Sequence, residues 1–377
     1  MSDTTIGMAD LYGQYLKIKE EVDALTAEVV RRAAFIDGPA VERFAGELSD
    51  FVGVRHTIPC GNGTDALILA LMAVGISPGD EVIVPAFSYA ATAEAVALLG
   101  GVVAMADVDA RTFHLDPASV ERLVTPRTKA VVPVHLFGSV CDMEPIMRIA
   151  SERHLYVVED NAQSLGAVYT FSDGTSKQAG GIGHIGCTSF FPTKNLGCFG
   201  DGGAVFTDDD ALARKIRLLA RHGQRVRYRH EIVGFNSRLD SIQAAVLSAK
   251  LPHLDEYIRT RRSIARRYRD ALTDVEGIEL PVETPFSTHT YHQYTLKVAH
   301  GRRDELKRKL EAAGVSSAIY YPLPLYWQPA YGGSCRCDAS MRTAGHLSEC
   351  VLSIPVHTEL TTAQTERVIE SIKHSLR

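Results

Sequence analysis

Residues 56–87 read HTIPCGNGTDALILALMAVGISPGDEVIVPAF and contain the pattern that decides the fold. A short β-branched run, HTIPC, is followed by a glycine turn, by a helical segment expected over about Thr64 to Val74, and by the turn signal SPGDE. The next run, EVIVPAF, shows no polar alternation, which is typical of a strand buried on both faces of a parallel sheet. The stretch therefore predicts a strand–helix–strand unit.

The same alternation continues along the chain and predicts a mostly parallel sheet covered by helices. The further strand-like runs are GVVAMADVD, KAVVPVHLFG, LYVVED, GCTSFF and GGAVFT. One amphipathic helix, expected over about Gln14 to Arg32, precedes them. After about Leu251 the pattern changes to a charged helix, a strand-like TYHQYTLKVA, a second charged helix and the proline-rich YYPLPLYWQPAY. We therefore expect an α/β chain with a large domain over residues 1–250 and a smaller C-terminal α/β domain over residues 251–377.

The composition argues against several classes of protein. The 377 residues are 45% hydrophobic, which supports a sizeable core, and the formal net charge of -5 offers no basic field for nucleic acid. The start lacks a secretory signal pattern, and no window of about 18 uninterrupted apolar residues occurs, so we expect a soluble cytoplasmic protein without a membrane partner. No metal site is expected, because the seven cysteines lack paired C-x-x-C spacing. They are Cys60, Cys141, Cys187, Cys198, Cys335, Cys337 and Cys350.

Three candidate anchors follow predicted strands, at the edge of the sheet where α/β proteins bind ligands. Gly63 and Thr64 open a helix whose free amide groups suit a phosphate. Asp160 ends the buried run LYVVED, where a carboxylate needs a cation or a donor. Lys194 lies in SFFPTKNLGCFGDGG, residues 189–203, where an apolar approach favours a depressed pKa and Schiff-base chemistry. Together they match the three anchors of pyridoxal 5'-phosphate, which are its phosphate, its pyridine nitrogen and its aldehyde.

Each stretch taken alone has another interpretation. GNGTDA fits the dinucleotide fingerprint G-x-G-x-x-A at Gly61, Gly63 and Ala66, so an NAD-dependent oxidoreductase is an alternative. That alternative calls for an acidic residue at the end of the second strand, and EVIVPAFSYA has none. Asp160 alone fits a helix N-cap, and an isolated lysine such as Lys194 is most often a surface cation. It is the combination that favours a pyridoxal site.

Five blocks of the sequence resemble the signature blocks of the DegT/StrS-type nucleotide-sugar aminotransferases, which are fold-type I pyridoxal enzymes. The blocks are CGNGTDAL, PAFSYAATAEAV, EDNAQSLGA, SFFPTKNLGCFGDGGAVFT and GFNSRLDSIQAA, and the resemblance runs from about Leu11 to Pro355. It implies an aspartate-aminotransferase-like, three-layer large domain with a mostly parallel seven-stranded sheet, plus a small C-terminal α/β domain. It also implies a homodimer with shared active sites. Dehydratases of the same family carry histidine in place of the anchoring lysine, so Lys194 indicates an aminotransferase.

The resemblance also implies roles for single residues. Lys194 would hold the cofactor aldehyde and move protons during catalysis, and Asp160 would pair with the pyridine nitrogen. The other implied cofactor contacts are Gln163 at the ring hydroxyl, Ala162 and Tyr89 against the ring faces, and Gly63, Thr64, Ser189 and the neighbouring subunit's Asn236 at the phosphate.

The implied reaction moves an amino group from L-glutamate, which leaves as 2-oxoglutarate, to a nucleotide-linked keto sugar. The sequence looks most similar to the branch that aminates C3 of UDP-2-acetamido-2-deoxy-3-keto-glucuronate for lipopolysaccharide O-antigen. A dTDP-3-keto-6-deoxyhexose 3-aminotransferase is the nearer alternative, and a catalytically idle sugar-binding or regulatory protein is a third. The implied substrate contacts are Arg229, Arg238, Tyr320 and Tyr321. Relatives of this branch carry histidine where this chain has Tyr320, whose phenol stays uncharged at neutral pH.

Overall fold

The fold was analysed in a computed structural model, which describes residues 5–331 and 335–376. Helices and strands alternate over most of this length, as the sequence predicts. The helices are α1 (Leu11–Lys17), α2 (Lys19–Arg32), α3 (Pro39–Val52), α4 (Gly63–Ala73), α5 (Ala91–Leu98), α6 (Pro117–Leu123), α7 (Met143–Arg153), α8 (Asp210–Leu219), α9 (Ser241–Lys250), α10 (Leu254–Leu272), α11 (Arg303–Ala312), α12 (Thr343–Cys350) and α13 (Thr362–Leu376).

Most of the strands of four or five residues fall close to the predicted runs, whereas the shorter strands and the strand at Val351–Ile354 were not predicted. They are β1 (His56–Cys60), β2 (Glu81–Pro85), β3 (Val102–Ala106), β4 (Thr128–Val131), β5 (Tyr156–Asp160), β6 (Val168–Thr170), β7 (Ser176–Gln178), β8 (Ile185–Ser189), β9 (Gly203–Thr207), β10 (Gln224–Val226), β11 (Arg229–His230), β12 (Ile278–Glu279), β13 (Tyr294–Val298), β14 (Cys335–Cys337) and β15 (Val351–Ile354).

Two elements differ from the expectation. The opening helix is divided at Ile18, which has φ -123° and ψ 20° and is 5% exposed. Its side chain packs with Val22, Val246 and Ala249, so burial against α9 accompanies the break between α1 and α2. The strand expected from Thr290 begins only at Tyr294, because the preceding residues bond to the turn that follows β4, where Thr290 N donates to the carbonyl of Gly138.

An eight-stranded sheet forms the centre of the molecule, in the order β1-β9-β8-β5-β4-β2-β3-β14. Neighbours from β8 to β14 run parallel, while β9 is antiparallel to both β1 and β8. The mostly parallel α/β fold is thereby confirmed. The sheet has one strand more than expected, because the short β14 pairs with β3 at its edge.

Successive residues of the central strands bury opposite faces of the sheet. In β2, Val82 and Val84 belong to one apolar cluster and Ile83 to another, and every residue of the strand is buried. Such a strand needs helices on both sides, which explains the unbroken apolar run in its sequence. The arrangement places the carboxyl ends of β1, β2, β5 and β8 along one edge.

The C-terminal part of the chain has a separate core. Strands β12, β13 and β15 form a small antiparallel sheet, and α10, α11 and α13 cover it with residues such as Tyr268, Leu310 and Ile369. Ile6, from the amino-terminal end, also packs into this core. The division at residues 250 and 251 stays a prediction.

Two other findings concern the composition. All seven cysteines have free thiols. In the parts of the chain that the structure describes, no helix is long and apolar enough to cross a bilayer, and no cluster of three or more metal-ligating side chains occurs.

Candidate active site

A cavity of about 530 Å³ opens at the carboxyl edge of the large sheet. The ends of β2, β5 and β8, the first turn of α4 and the segment around Tyr320 surround it. Ten predicted site residues line it, which are Gly63, Thr64, Tyr89, Asp160, Ala162, Gln163, Ser189, Lys194, Tyr320 and Tyr321. The fold thus brings residues that are as far apart in the sequence as Gly63 and Tyr321 into one pocket. This is expected for a ligand site beyond parallel strand ends.

Asp160 is a buried carboxylate with neutral partners. Its side chain is at the end of β5, and the residue is 6% exposed. Oδ2 accepts a hydrogen bond from Thr92 Oγ1 at 2.8 Å, and Oδ1 accepts one from the amide of Ala162 at 3.1 Å. Among the described residues, no lysine, arginine or histidine lies within ion-pair distance of it. A buried charge of this kind calls for a cationic partner, and the cavity is where a ligand would supply it.

Lys194 projects from a tight turn that follows β8. Its amide donates to the carbonyl of Phe191 at 2.8 Å, and the amide of Cys198 donates back to the carbonyl of Phe190 at 2.9 Å. Within the described chain, the ammonium group of Lys194 has neither a hydrogen bond nor an ion pair. Burial lowers the pKa of Lys194 to about 8, and the charge of Asp160 opposes this effect. The lysine is therefore a reactive amine close to neutral pH.

The first turn of α4 forms a polar end to the cavity. Asn62 caps the helix by accepting from the amide of Asp65 at 2.8 Å. The earlier amides, of Gly63 and Thr64, have no intrahelical acceptor and stay available to an anion. A Cβ atom on Gly63 would lie 2.7 Å from Cβ of Ser189, so only glycine permits this close approach of helix and strand. The result is a set of donors suited to a phosphate.

Aromatic and amide side chains form the opposite wall. Gln163 accepts from the amide of Phe137 at 2.7 Å and donates from Nε2 to the Tyr321 hydroxyl at 3.2 Å. Burial raises the pKa of Tyr321 above its usual value, so the phenol stays protonated. Tyr89 is 61% exposed, with its ring centroid 6.1 Å from that of Tyr321. Its open ring face is available for stacking.

Three predicted site residues lie outside this cavity. Asn236 and Arg229 are exposed, and the half-buried Arg238 lines a separate cavity of about 330 Å³. Between Asn236 and Arg238, Ser237 donates to Asp65 at 2.7 Å and accepts from the amide of Gly61 at 3.0 Å. This segment is thus fixed against the start of α4 but directs neither flanking side chain into its own cavity. The roles of all three residues stay predictions.

The structure adds three residues that the sequence reasoning did not single out. Thr92, three positions after Tyr89, contacts Asp160 and is 1% exposed. Ser88 and His292 line the cavity and are buried, and neither Ser88 Oγ nor His292 Nδ1 has a hydrogen-bond partner among the residues that the structure describes. Burial, and then the charge of Lys194, lowers the pKa of His292 well below its usual value. Thr92 lies within a quoted sequence block, whereas no sequence signal distinguishes His292.

These residues fit pyridoxal 5'-phosphate. The group carries a phosphate, a basic ring nitrogen and an aldehyde. The cavity provides free amides on α4, a buried carboxylate without a cation at Asp160, and a lysine amine of lowered pKa at Lys194. The unpartnered Ser88 hydroxyl is consistent with a polar ligand in the same space.

Comparison with known proteins points in the same direction. The sequence model of the DegT/DnrJ/EryC1/StrS aminotransferase family matches residues 16–373. A UDP-2-acetamido-2-deoxy-3-oxo-D-glucuronate aminotransferase from Pseudomonas aeruginosa is 44% identical over 97% of this chain and 99% of its own. A dTDP-3-amino-3,4,6-trideoxy-alpha-D-glucose transaminase from Streptomyces venezuelae is 39% identical over 97% and 94%. A pleiotropic regulatory protein from Geobacillus stearothermophilus is 41% identical over 99% of both chains.

Solved structures agree with the fold. The crystal structure of S. venezuelae DesV in complex with a ketimine intermediate superposes with a TM-score of 0.94, at 39% identity and over 99% of both chains. A structure of ntda from Bacillus subtilis with bound cofactor PMP gives a TM-score of 0.87, at 33% identity, over 96% of this chain and 82% of that one.

Proposed function

Because this chain belongs to the DegT/DnrJ/EryC1/StrS aminotransferase family, we propose that it transfers the amino group of L-glutamate to the 3-keto carbon of a nucleotide-linked sugar. The chain is a pyridoxal 5'-phosphate-dependent aminotransferase. The observation that supports the cofactor and the reaction type, whatever the sugar, is that Lys194 and Asp160 line one cavity. Within the described chain, Lys194 has an amine without a hydrogen bond and Asp160 is a buried carboxylate without a cationic partner. The NAD-dependent alternative is set aside by the family.

The chain's own residues have distinct tasks in this proposal. When bound, pyridoxal 5'-phosphate supplies an aldehyde that takes up an amino group and a ring that accepts electrons. Asp160 would meet the ring nitrogen and would keep it protonated. Lys194 would hold the aldehyde covalently, and its Nζ, once free, would carry a proton. Tyr89 would stack on the ring, Ala162 would leave space for it and Gln163 would lie near its hydroxyl.

The net reaction is an exchange of an amine for a carbonyl. L-glutamate loses its amino group and becomes 2-oxoglutarate, and the sugar ketone becomes an amine bearing one new carbon-bound hydrogen. Electrons balance because the donor carbon is oxidised as the sugar carbon is reduced. The lowered pKa of Lys194, about 8, lets its amine accept and return a proton near neutral pH.

We infer that the working unit is a homodimer. No arginine lines the cavity in the described part of one chain, and burial keeps the pKa of His292 well below its usual value, so that imidazole adds no charge at neutral pH. A nucleotide diphosphate, or a sugar carboxylate, requires cations. Arg229 and Arg238 do not line their own cavity, and Arg229 follows the exposed Tyr228 (77% exposed) in a segment that also exposes Val233 (87%). These features support the proposal that a second copy contributes Asn236 and an arginine to each site.

UDP-2-acetamido-2-deoxy-3-keto-D-glucuronate is the proposed acceptor, and a role in lipopolysaccharide O-antigen or another surface polysaccharide follows from it. The 44% identity to the P. aeruginosa enzyme supports this choice over dTDP-3-keto-6-deoxyhexoses, for which the supporting relative is 39% identical. Tyr320 and Tyr321 would contact the sugar. We place the reaction in the cytoplasm, since seven free thiols suit a reducing compartment.

Product analysis by mass spectrometry tests this proposal. The purified protein is incubated with L-glutamate together with either a UDP-linked or a dTDP-linked 3-keto sugar, in separate reactions. Lys194→Ala is the inactive control. We expect 2-oxoglutarate and a UDP-amino sugar. Release of 2-oxoglutarate without amination of any sugar would reject the acceptor and retain the aminotransferase. Absence of both products would support a regulatory function, which is the function that the name of the G. stearothermophilus relative indicates.

A further inference from the structure

The turn that carries Lys194 is held by a second lysine, which lies beneath it. Lys250 is the last residue of α9 and is 1% exposed. Its Nζ donates a 2.7 Å hydrogen bond to the carbonyl of Gly197, three residues after Lys194, and lies 4.9 Å from the ring centroid of Phe199. In the described chain no carboxylate forms an ion pair with it. Its position at a helix carboxyl end suits a cation.

The contact is to a part of the turn that has little freedom. A Cβ atom on Gly197 would lie 2.3 Å from the carbonyl oxygen of Pro192, so the two backbone strands of the turn touch. Cys198 closes the turn, because its backbone amide donates a hydrogen bond to the carbonyl of Phe190. Because Gly197 is buried, its carbonyl needs a donor, and Lys250 supplies it.

Helix α9 holds the turn at a second point. Gln243 accepts from the amide of Phe199 at 2.8 Å. Gln243 and Lys250 are seven residues apart, about two helical turns, so they lie on the same face of α9. One rigid helix face thus fixes both Gly197 and Phe199.

We propose that Lys250 is a positioning residue for Lys194, which fixes the turn and keeps the catalytic amine in its buried setting. The side chain of Lys194 has no hydrogen bond of its own in the described structure, so the backbone of the turn sets where this side chain enters the cavity. Loss of the Lys250 contact leaves a buried carbonyl without a donor and favours opening of the turn. An opened turn exposes Lys194 to water. This inference concerns the placement of the amine and does not depend on which sugar is the substrate.

Competitive labelling of the cofactor-free protein tests the inference without using activity. The apparent pKa of Lys194 is measured by amine acetylation across pH, with peptide mass spectrometry, in wild type, Lys250→Met and Lys250→Arg. In wild type we expect a value near 8 at Lys194 and no labelling of Lys250. In Lys250→Met the value rises toward about 10.4, the value of a solvated lysine. Lys250→Arg, which keeps a donor and a charge, restores most of the shift.

A matched control is Lys215→Met. The exposed Lys215 also donates to one backbone carbonyl, that of Ala73, at 2.9 Å, but this bond joins α8 to α4 and does not involve the turn. The Lys215→Met substitution should leave the labelling of Lys194 unchanged. A second readout is the dissociation constant for pyridoxal 5'-phosphate. We expect Lys250→Met to raise this constant by about tenfold, which is the equivalent of one hydrogen bond to a charged group.

Two results would overturn the inference. One is a folded Lys250→Met protein in which Lys194 keeps its wild-type pKa and cofactor affinity. The other is acetylation of Lys250 in the native wild-type protein as readily as that of Lys194. This second result needs no variant, so it can be obtained even if substitution of Lys250 prevents folding. Failure of the sugar assay would affect neither measurement, so the two proposals are tested separately.

Discussion

Thr92 Oγ1 donates a 2.8 Å hydrogen bond to Oδ2 of Asp160, and both side chains are almost fully buried. Thr92 lies in the first turn of α5, while Asp160 ends β5, so the bond joins a helix and a strand beside the cavity. It fixes one oxygen of the carboxylate, and the amide of Ala162 fixes the other. The carboxylate is therefore oriented before any ligand arrives.

Removal of this bond should weaken cofactor binding. Thr92→Val keeps the shape of the side chain but loses the donor, at a cost of about 1 kcal/mol and hence roughly fivefold in cofactor affinity. Equilibrium binding of pyridoxal 5'-phosphate to the apoprotein measures the change. Thr92→Ser retains the hydroxyl and serves as the control. Equal affinities for all three proteins would show that the orientation of Asp160 does not depend on Thr92.

The sequence predicts most of the fold because its strands are buried on both faces. Unbroken apolar runs such as VIVP, residues 82–85, mark these strands directly, and β1 occupies the predicted residues His56–Cys60. The break at Ile18 was not predictable, since it depends on packing against Val246 of a distant helix. The same applies to β14, a three-residue edge strand whose pairing with β3 has no periodic signal.

The candidate site was predictable where a residue type is chemically unusual for its place. Asp160 at the end of an apolar run and Lys194 among glycines stand out in the sequence. Thr92 and His292 do not, because a threonine in a helix and a histidine before a strand are unremarkable until the fold places them at the cavity. Arg229 and Arg238 show the opposite case. Their residue type suits an anion, but Arg229 is exposed and Arg238 lines a different cavity of the same chain.

Capture of the cofactor by the apoprotein should depend on pH through Lys194. Only the neutral amine attacks an aldehyde, and the pKa of Lys194 is lowered to about 8. Below this pH the capture rate should rise roughly tenfold per pH unit, and above it the rate should level off. Stopped-flow absorbance measures it, with the amine of free lysine as the reference for ionisation of the cofactor itself. A profile that continues to rise to about pH 10 would indicate an unperturbed lysine.

Glu159 should contribute to stability rather than to catalysis. It is 0% exposed, pairs with His135 at 2.8 Å and accepts from the amides of Gly180, Ile182 and Gly183. Burial acts to raise the pKa of Glu159, but His135 and the amides outweigh it, so the pKa is lowered. Glu159→Gln should reduce the free energy of unfolding by about 3 kcal/mol at neutral pH, because a glutamine cannot accept all the hydrogen bonds that the two buried carboxylate oxygens accept. Urea denaturation measures the loss.

The sign of the pH effect provides a second check on Glu159. A carboxyl group with a lowered pKa in the folded state stabilises the protein above its unfolded pKa of about 4.3 and loses this contribution as the pH falls. The difference between wild type and Glu159→Gln should therefore narrow on acidification. The exposed Glu121→Gln is the control and should show little difference at either pH. A gap that widens in acid would contradict the assignment.

Tyr321 should matter for turnover more than for folding. Its hydroxyl accepts from Gln163 at 3.2 Å inside the cavity. Tyr321→Phe removes one hydrogen bond, so we expect kcat/KM to fall about fivefold, for a loss of about 1 kcal/mol, with little change in Tm. Tyr326→Phe, in the same segment but outside the cavity lining, is the matched control. Equal kinetics for the two variants would remove Tyr321 from the site.

The most direct test of the account is to locate the covalent bond to the cofactor. Protein loaded with pyridoxal 5'-phosphate is treated with sodium borohydride, which makes the bond permanent, and is then digested for peptide mass spectrometry. We predict the added mass on Lys194 and, in Lys194→Ala, on no residue. Attachment at Lys250 or any other lysine, or full transfer activity in Lys194→Ala, would contradict the account.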